Sequence, residues 1–303
     1  MSQSRAKAEP NQSQSTAGES DNGPLAIIAG NGSLPFAVAD AALAAGREVH
    51  LIGIRGEADE KIERYPHAWV KWGEVGRLFA TLEDRDCRDL VIIGGVTRPD
   101  LANVRFDLGA IKNLPRLLRL GLGGDDNVLS ALVRFFEDKG YRVRGAAEVA
   151  PGILACEGKL GVKEPSPEDK ADIDIGFRVV ETLGRLDVGQ GAVVAKGRVL
   201  AVEAAEGTNA MLGRCAELRR QRERRRSDRF GVLVKAPKPG QEERVDLPAI
   251  GPETVRKAAE AGLAGIAIAA GRVLVADRVA TAAAADKLGL FLFGRKLSDT
   301  PNA

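Results

Sequence analysis

Apolar residues along the chain gather into short, nearly uninterrupted runs closed by glycine, the pattern of strands buried on both faces of a sheet. The first run is Leu25-Ala26-Ile27-Ile28-Ala29, ended by Gly30. A helical rhythm follows from Leu34 to about Ala45 and stops at Gly46. Val49-His50-Leu51-Ile52-Gly53-Ile54 predicts a second strand, Val70 marks a short third, and Val75 to Glu83 predicts a second helix. Leu90-Val91-Ile92-Ile93 is another apolar strand, running into Gly94-Gly95. Helices are expected at Leu114 to Leu120 and Asn127 to Lys139, and a strand over Val143 to Val149.

Alternating strands and helices in this order predict parallel pairing with helices on both faces, a Rossmann-like α/β half. Pro151-Gly152 and Glu164-Pro165-Ser166-Pro167 then punctuate the chain, and the pattern changes. A helix from Pro167 to Leu186 precedes a hairpin, Ala192 to Ala195 and Val199 to Ala204, turned at Lys196-Gly197-Arg198. A helix from Asn209 continues into an arginine-rich run. Strands are expected at Gly231 to Val234, Ile266 to Ala269, Val273 to Val275 and Leu290 to Phe293, with helices at Pro252 to Ala261 and Val279 to Leu288. The expected organisation is a disordered tail over 1–23, a Rossmann-like parallel-sheet domain over 24–150 and a mixed-sheet α/β domain over 153–296. The tail, rich in Ser, Gln, Asn and Gly, holds no apolar core of a signal peptide, so export is not expected.

Composition narrows the chemistry. Lys+Arg 44 against Asp+Glu 42 lacks the basic excess of a general nucleic-acid binder, so no nucleic-acid partner is expected. No apolar run approaches the roughly 20 residues of a membrane-spanning helix. Cys87, Cys156 and Cys215 are widely spaced and form no CxxC pair, which favours a reducing, cytoplasmic setting. With His50 and His67 as the only histidines, histidine triads and histidine-rich zinc sites are excluded. A metal would have to be held by carboxylates, carbonyls and water, which suit Mg²⁺ or Mn²⁺.

Several strings carry candidate chemistry. Gly30-Asn31-Gly32-Ser33-Leu34-Pro35 joins strand to helix; its backbone N–H groups can hold a phosphate, or it is simply a tight turn with Pro35 in the first helical turn. Pro35 stands where a dinucleotide fingerprint needs glycine, which weakens the alternative of a NAD(P)-dependent oxidoreductase. Gly94-Gly95-Val96-Thr97-Arg98-Pro99 lies at the carboxyl end of a buried strand, where open parallel sheets bind ligands; Thr97 offers a hydroxyl and Arg98 a forked cation. Asp125 and Asp126, after Gly123-Gly124, supply a helix cap and can also hold a metal or a sugar hydroxyl. In the second half, carboxylates lie near small residues: Asp172 and Asp174, then Glu203 and Glu206 ahead of Gly207-Thr208, with Gln190 before a strand. Lys235-Ala236-Pro237-Lys238-Pro239 and Arg244-Val245-Asp246-Leu247-Pro248 bracket one proline-stiffened loop whose charges can bring phosphates and a divalent cation together. The run Arg214 to Arg229 reads as a solvated face, or as a patch attracted to anionic lipid at a membrane surface.

Taken together, these strings closely resemble the UDP-2,3-diacylglucosamine pyrophosphatases of lipid A biosynthesis, in the form found mainly in alphaproteobacteria. The resemblance runs from Leu25 to about Gly294. It is carried by Ile28-Ala29-Gly30 with Gly32 and Leu34-Pro35, Val96-Thr97-Arg98-Pro99-Asp100 and Gly124-Asp125-Asp126. Further matches are Ala171-Asp172-Ile173-Asp174, the segment from Gly184 to Val194, Leu200 to Ala204, Glu206-Gly207-Thr208 and the two loop strings around Lys235 and Asp246. It implies Mg²⁺-dependent hydrolysis of UDP-2,3-diacylglucosamine to 2,3-diacylglucosamine 1-phosphate and UMP, with water attacking the α-phosphate of the UDP moiety. It makes the second domain the catalytic one and Asp246 the catalytic residue, as metal ligand or as general base. Glu203 and Glu206 are the further candidate metal ligands. Gly32, Thr97, Arg98, Asp125, Asp126, Gln190, Thr208, Lys235 and Lys238 are the candidate substrate-binding residues. A homodimer is the general expectation for such an enzyme, and a non-enzymatic nucleotide-sugar or lipid-binding regulator is the competing class.

Overall fold

The computed structural model describes residues 23–97, 104–111, 125–222 and 229–297. The helix expected over Leu114 to Leu120 and the tail up to Asn22 lie outside the described residues. Strands β1 (Leu25–Ala29), β2 (Val49–Ile54), β3 (His67–Val70), β4 (Asp89–Ile93) and β5 (Arg142–Val143) form one sheet in the order β3-β2-β1-β4-β5. Every pairing in it is parallel. Side-chain alternation explains the double burial. Leu25, Ile27 and Ala29 pack with Val38, Ala39 and Ala42 of α1 (Leu34–Ala44). Ala26 and Ile28 pack on the other face with Leu82 of α2 (Val75–Asp84) and Val133 and Phe136 of α3 (Asp125–Glu137).

At the amino end of β4 the buried carboxylate of Asp89 accepts hydrogen bonds from Arg142 Nε at 2.6 Å and from Arg47 Nη2. Burial pushes that carboxyl up, but the two guanidinium groups outweigh it and hold it below its ordinary range. The strand expected over Val143 to Val149 stops at Val143. There Gly145 starts a short helix, α4 (Ala146–Val149), and the Glu148 carboxylate accepts the Gly145 N–H at 3.0 Å. A capping glutamate three residues into an Ala-rich turn favours helix over strand.

The second sheet is mixed. Its strands β6 (Gly158–Lys159), β7 (Gly191–Ala195), β8 (Arg198–Val202), β9 (Val232–Lys235), β11 (Gly265–Ala269) and β13 (Phe291–Arg295) lie in the order β6-β13-β11-β9-β7-β8. The three central strands β13, β11 and β9 are parallel, and the flanking pairings are antiparallel. Helix α5 (Pro167–Gly184) presses so closely that a Cβ on Gly176 would lie 2.3 Å from Val234 Cγ2. Asp172, on this helix, accepts the N–H groups of Lys196 and Gly197 at 2.8 and 2.7 Å and so fixes the β7–β8 turn. Asp174 pairs with Arg295. Both acids therefore serve the scaffold. Helices α6 (Gly207–Arg222), α7 (Pro252–Glu260) and α8 (Arg278–Leu288) follow in this half.

A two-stranded parallel ribbon, β10 (Ala249–Ile250) with β12 (Leu274–Val275), joins the two halves. Leu274, with Leu247 and Ala249, packs into the core of the first sheet, whereas Ile250 and Val275 belong to the core of the second.

Candidate active site

The strand order of the first sheet reverses between β1 and β4, and open parallel sheets bind ligands at such a point, beyond the carboxyl ends of the strands. Two glycine loops interlock there. Asn31 and Gly95 exchange backbone hydrogen bonds of 2.7 and 3.0 Å. A Cβ on Gly30 would sit 2.4 Å from the Gly95 carbonyl oxygen, and one on Gly94, at φ +107°, 2.7 Å from the Gly30 carbonyl carbon. Only glycine tolerates that approach. Gly32 follows at φ +100°, and Ser33 opens α1 without a side-chain capping bond. Above these loops lies a cleft of about 480 Å³, walled by Asn31, Gly32, Ser33 and Gly95 on one side and by Arg244 and Asp246 on the other.

Beneath the Asp246 side of the cleft, the second half buries a small polar cluster. Lys235, the last residue of β9, is almost fully buried. Its Nζ donates to Thr208 Oγ1 at 2.7 Å and to the Ala249 carbonyl at 3.4 Å. Thr208 in turn donates to Glu203 Oε1 at 2.8 Å. The second carboxylate oxygen, Glu203 Oε2, is buried without a hydrogen-bond partner, 3.8 Å from Lys235 Nζ. Burial pulls the Lys235 ammonium below its ordinary range, and the negative charges of Glu203 and Asp246 oppose that fall. Glycines make room for this: a Cβ on Gly191 would meet Glu203 Oε2 at 2.4 Å. Gln190, just before β7, points its Nε2 at Asp246 Oδ2 from 3.5 Å.

The loop that carries Asp246 is tied at several places. Lys238, buried, pairs with Asp187, which holds a left-handed conformation at φ +55°. Gln241 Oε1 accepts the Lys238 N–H at 2.8 Å, and its Nε2 donates to the Asp246 carbonyl. The Asp246 N–H donates to the Glu242 carbonyl at 3.0 Å. Arg244 bonds to Glu242 and reaches across to Glu137 of α3 at 2.6 Å, and Glu243 pairs with Arg272. Gln241, Asp187 and Glu137 carry this arrangement but were not among the residues the sequence singled out. Gln241 left no distinct trace, being the first of four polar residues in a row between Gly240 and Val245.

The structure thus gathers Asp246, Gln190, Glu203, Thr208 and Lys235 in one neighbourhood, with Gly32 across the cleft. The two lysines expected to face phosphate both have protein partners, Glu203 with Thr208 for Lys235 and Asp187 for Lys238. Glu206 is exposed and pairs with Arg214. Thr97 bonds through its hydroxyl and N–H to Glu57, and these bonds lower the Glu57 carboxyl's pKa. Arg98 lies outside the described residues; Asp125 and Asp126 open α3, but their side chains lie outside the description. Of the arginine run, Arg219 donates to the Gly262 carbonyl and stacks 5.1 Å from the Phe230 ring, so it is held against the fold, whereas the exposed Arg220 pairs with Glu217 on its own helix. Residues 223–228 lie outside the description.

No group of three or more His, Cys, Asp and Glu comes together among the described residues. That excludes a preformed protein cage there, but not the usual Mg²⁺ arrangement of one or two carboxylates completed by substrate phosphate oxygens. Glu203, with its orphaned buried oxygen, and Asp246, at the cleft wall, fit that arrangement.

Comparison with known proteins bears on the whole described chain. Residues 24–153 match the LpxI N-terminal domain and residues 156–293 match the LpxI C-terminal domain. The UDP-2,3-diacylglucosamine pyrophosphatase LpxI of Caulobacter vibrioides is 47% identical over 277 residues, covering 91% of this chain and 99% of that protein.

Proposed function

Because the chain belongs to the LpxI family, a family of hydrolases, we propose that it converts UDP-2,3-diacylglucosamine and water to 2,3-diacylglucosamine 1-phosphate and UMP in lipid A synthesis. The observation that supports this reading most directly is the position of Asp246, which lines the cleft between the halves and lies in the field of the buried Glu203–Thr208–Lys235 cluster. In this reaction the water oxygen bonds to the α-phosphorus, and the bond from that phosphorus to the bridging oxygen breaks. The acylated sugar 1-phosphate leaves, and the water releases a proton. The start of α1, where Gly32, Ser33 and Leu34 line the cleft and Ser33 makes no side-chain cap, suits phosphate oxygens. Asp246 supplies negative charge at the attacking side, and Gln190 orients its carboxylate. Lys235 balances the charge of Glu203 and Asp246 from below.

Mg²⁺, or Mn²⁺ in its place, would be held by Asp246 and Glu203 and would supply neutralisation of the pyrophosphate oxygens and a lowered pKa for the attacking water. Whether as ligand to that ion or as base toward the water, Asp246 acts through its charge. Asp246→Asn keeps the size and removes the charge, so turnover is expected to fall by at least ~1000-fold, about 4 kcal/mol of transition-state stabilisation, with substrate affinity retained. The test is incubation with UDP-2,3-diacylglucosamine, with and without EDTA and with Mg²⁺ or Mn²⁺ restored, following UMP. Unchanged substrate under every metal condition would remove the proposal. Undiminished release in EDTA would remove the metal alone.

A further inference from the structure

We infer that Gln241 is a positioning residue for Asp246, an inference that rests on the function proposed above. Its amide ties both ends of the turn bearing Asp246: Oε1 accepts the Lys238 N–H at 2.8 Å, and Nε2 donates to the Asp246 carbonyl. The Gln241 N–H also donates to the Lys238 carbonyl at 3.3 Å, so main chain and side chain clamp the same residue. The side chain is buried, which makes the clamp costly to break and leaves it no role toward solvent.

The task demands an amide. One end must accept and the other must donate, at a length that spans from the loop's start to Asp246, which the Gln amide does in one planar group, on a longer stem than Asn. The ends of the clamp are themselves anchored. Lys238 is held to Asp187, and Arg244 holds the turn to Glu137 of the opposite half. What remains for Gln241 is the placement of the Asp246 backbone, hence of its carboxylate relative to Gln190 and the buried cluster. Small displacements of such a group act on turnover more than on affinity.

The test is a double-mutant cycle on the full chain with Asp246→Asn. Gln241→Glu keeps shape and the bond from Lys238 but sets an oxygen against the Asp246 carbonyl oxygen; Gln241→Met keeps length and removes both bonds. In the native background kcat for UMP release should fall at least ~30-fold for Glu and ~10-fold for Met, with KM within about threefold. In the Asp246→Asn background either change should cost less than about threefold more, because Gln241 acts through a group already disabled. Losses that multiply in both backgrounds, or that follow a falling melting temperature, would make Gln241 merely structural and overturn the inference. So would kcat within threefold of native for both variants. If the Glu variant does not fold, the Met variant carries the cycle by itself. A native protein that releases no UMP, or an active Asp246→Asn, would instead overturn the proposed function and the role of Asp246, and this inference with them.

Discussion

His50 lies buried in β2 with its Nε2 unpartnered, and burial, followed by the nearby charges of Arg85 and His67, lowers its pKa to about 4. In the unfolded chain the imidazole would titrate near 6.5, so the unfolded state binds the proton first. Stability is therefore full above pH 6.5 and falls as pH drops from there through 4, by roughly 2–3 kcal/mol from this group. Denaturant titrations at pH 7 and 4.5 should show that loss, and His50→Leu should flatten it. At this scale the sequence revealed residue types better than pairings. Two histidines are too few for a histidine-rich metal site, and Asp246 and Glu203 stood out, the one between proline-stiffened segments and the other at the end of an apolar strand. That Lys235 would turn inward onto Glu203 was not legible. Its direction depends on β9 lying between β7 and β11, a fact of sheet order. Asp172 misled for the same reason, since its role in fixing the Lys196–Gly197 turn exists only once α5 lies on the sheet.

Among the elements, the interlocked loops after β1 and β4 are the most exacting. Gly30→Ala would drive a methyl group into the Gly95 carbonyl, with no flexible side chain to yield. The loops must part, so a loss of about 2–4 kcal/mol in stability is expected, with weakened substrate binding in whatever fraction folds. Gly32→Ala is the informative companion: it meets no neighbour, and its cost comes from the left-handed backbone, about 1 kcal/mol. Comparing the two melting temperatures checks the argument. The long apolar strands and amphipathic helices were legible because local pattern and tertiary burial agree in them, as in β1, β2, β9 and α2. The two-residue strands β5, β6, β10 and β12 were less so: too short for any periodicity, they exist only because a partner strand lies alongside, and of the four the sequence marked two, β12 as Val273 to Val275 and β5 as an overlong Val143 to Val149.

For the molecule as a whole, the cleft is only as well formed as the seam between the halves. The Arg244–Glu137 ion pair crosses that seam beside Asp246, and both partners are partly exposed. Glu137→Gln should therefore cost only ~0.5–1 kcal/mol, seen as a two- to fivefold rise in KM with kcat and melting temperature little changed. A fall in kcat with KM constant would show that the contact governs turnover instead. A matter of scale also limits what the sequence revealed here. It placed the punctuation at Pro151-Gly152 but gave no sign that Leu247, Ala249 and Leu274, well beyond it, complete the first half's core.

The two-residue ribbon of β10 and β12 bears on modularity. Leu274 and Val275 are neighbours in sequence, yet each belongs to a different core. A cut at the obvious junction would thus leave the first half short of a wall and the second with a raw apolar strip of Leu247, Ala249 and Leu274. Such a strip invites self-association. Neither half is a portable part: transplanted onto another scaffold, each would need its missing counterpart rebuilt.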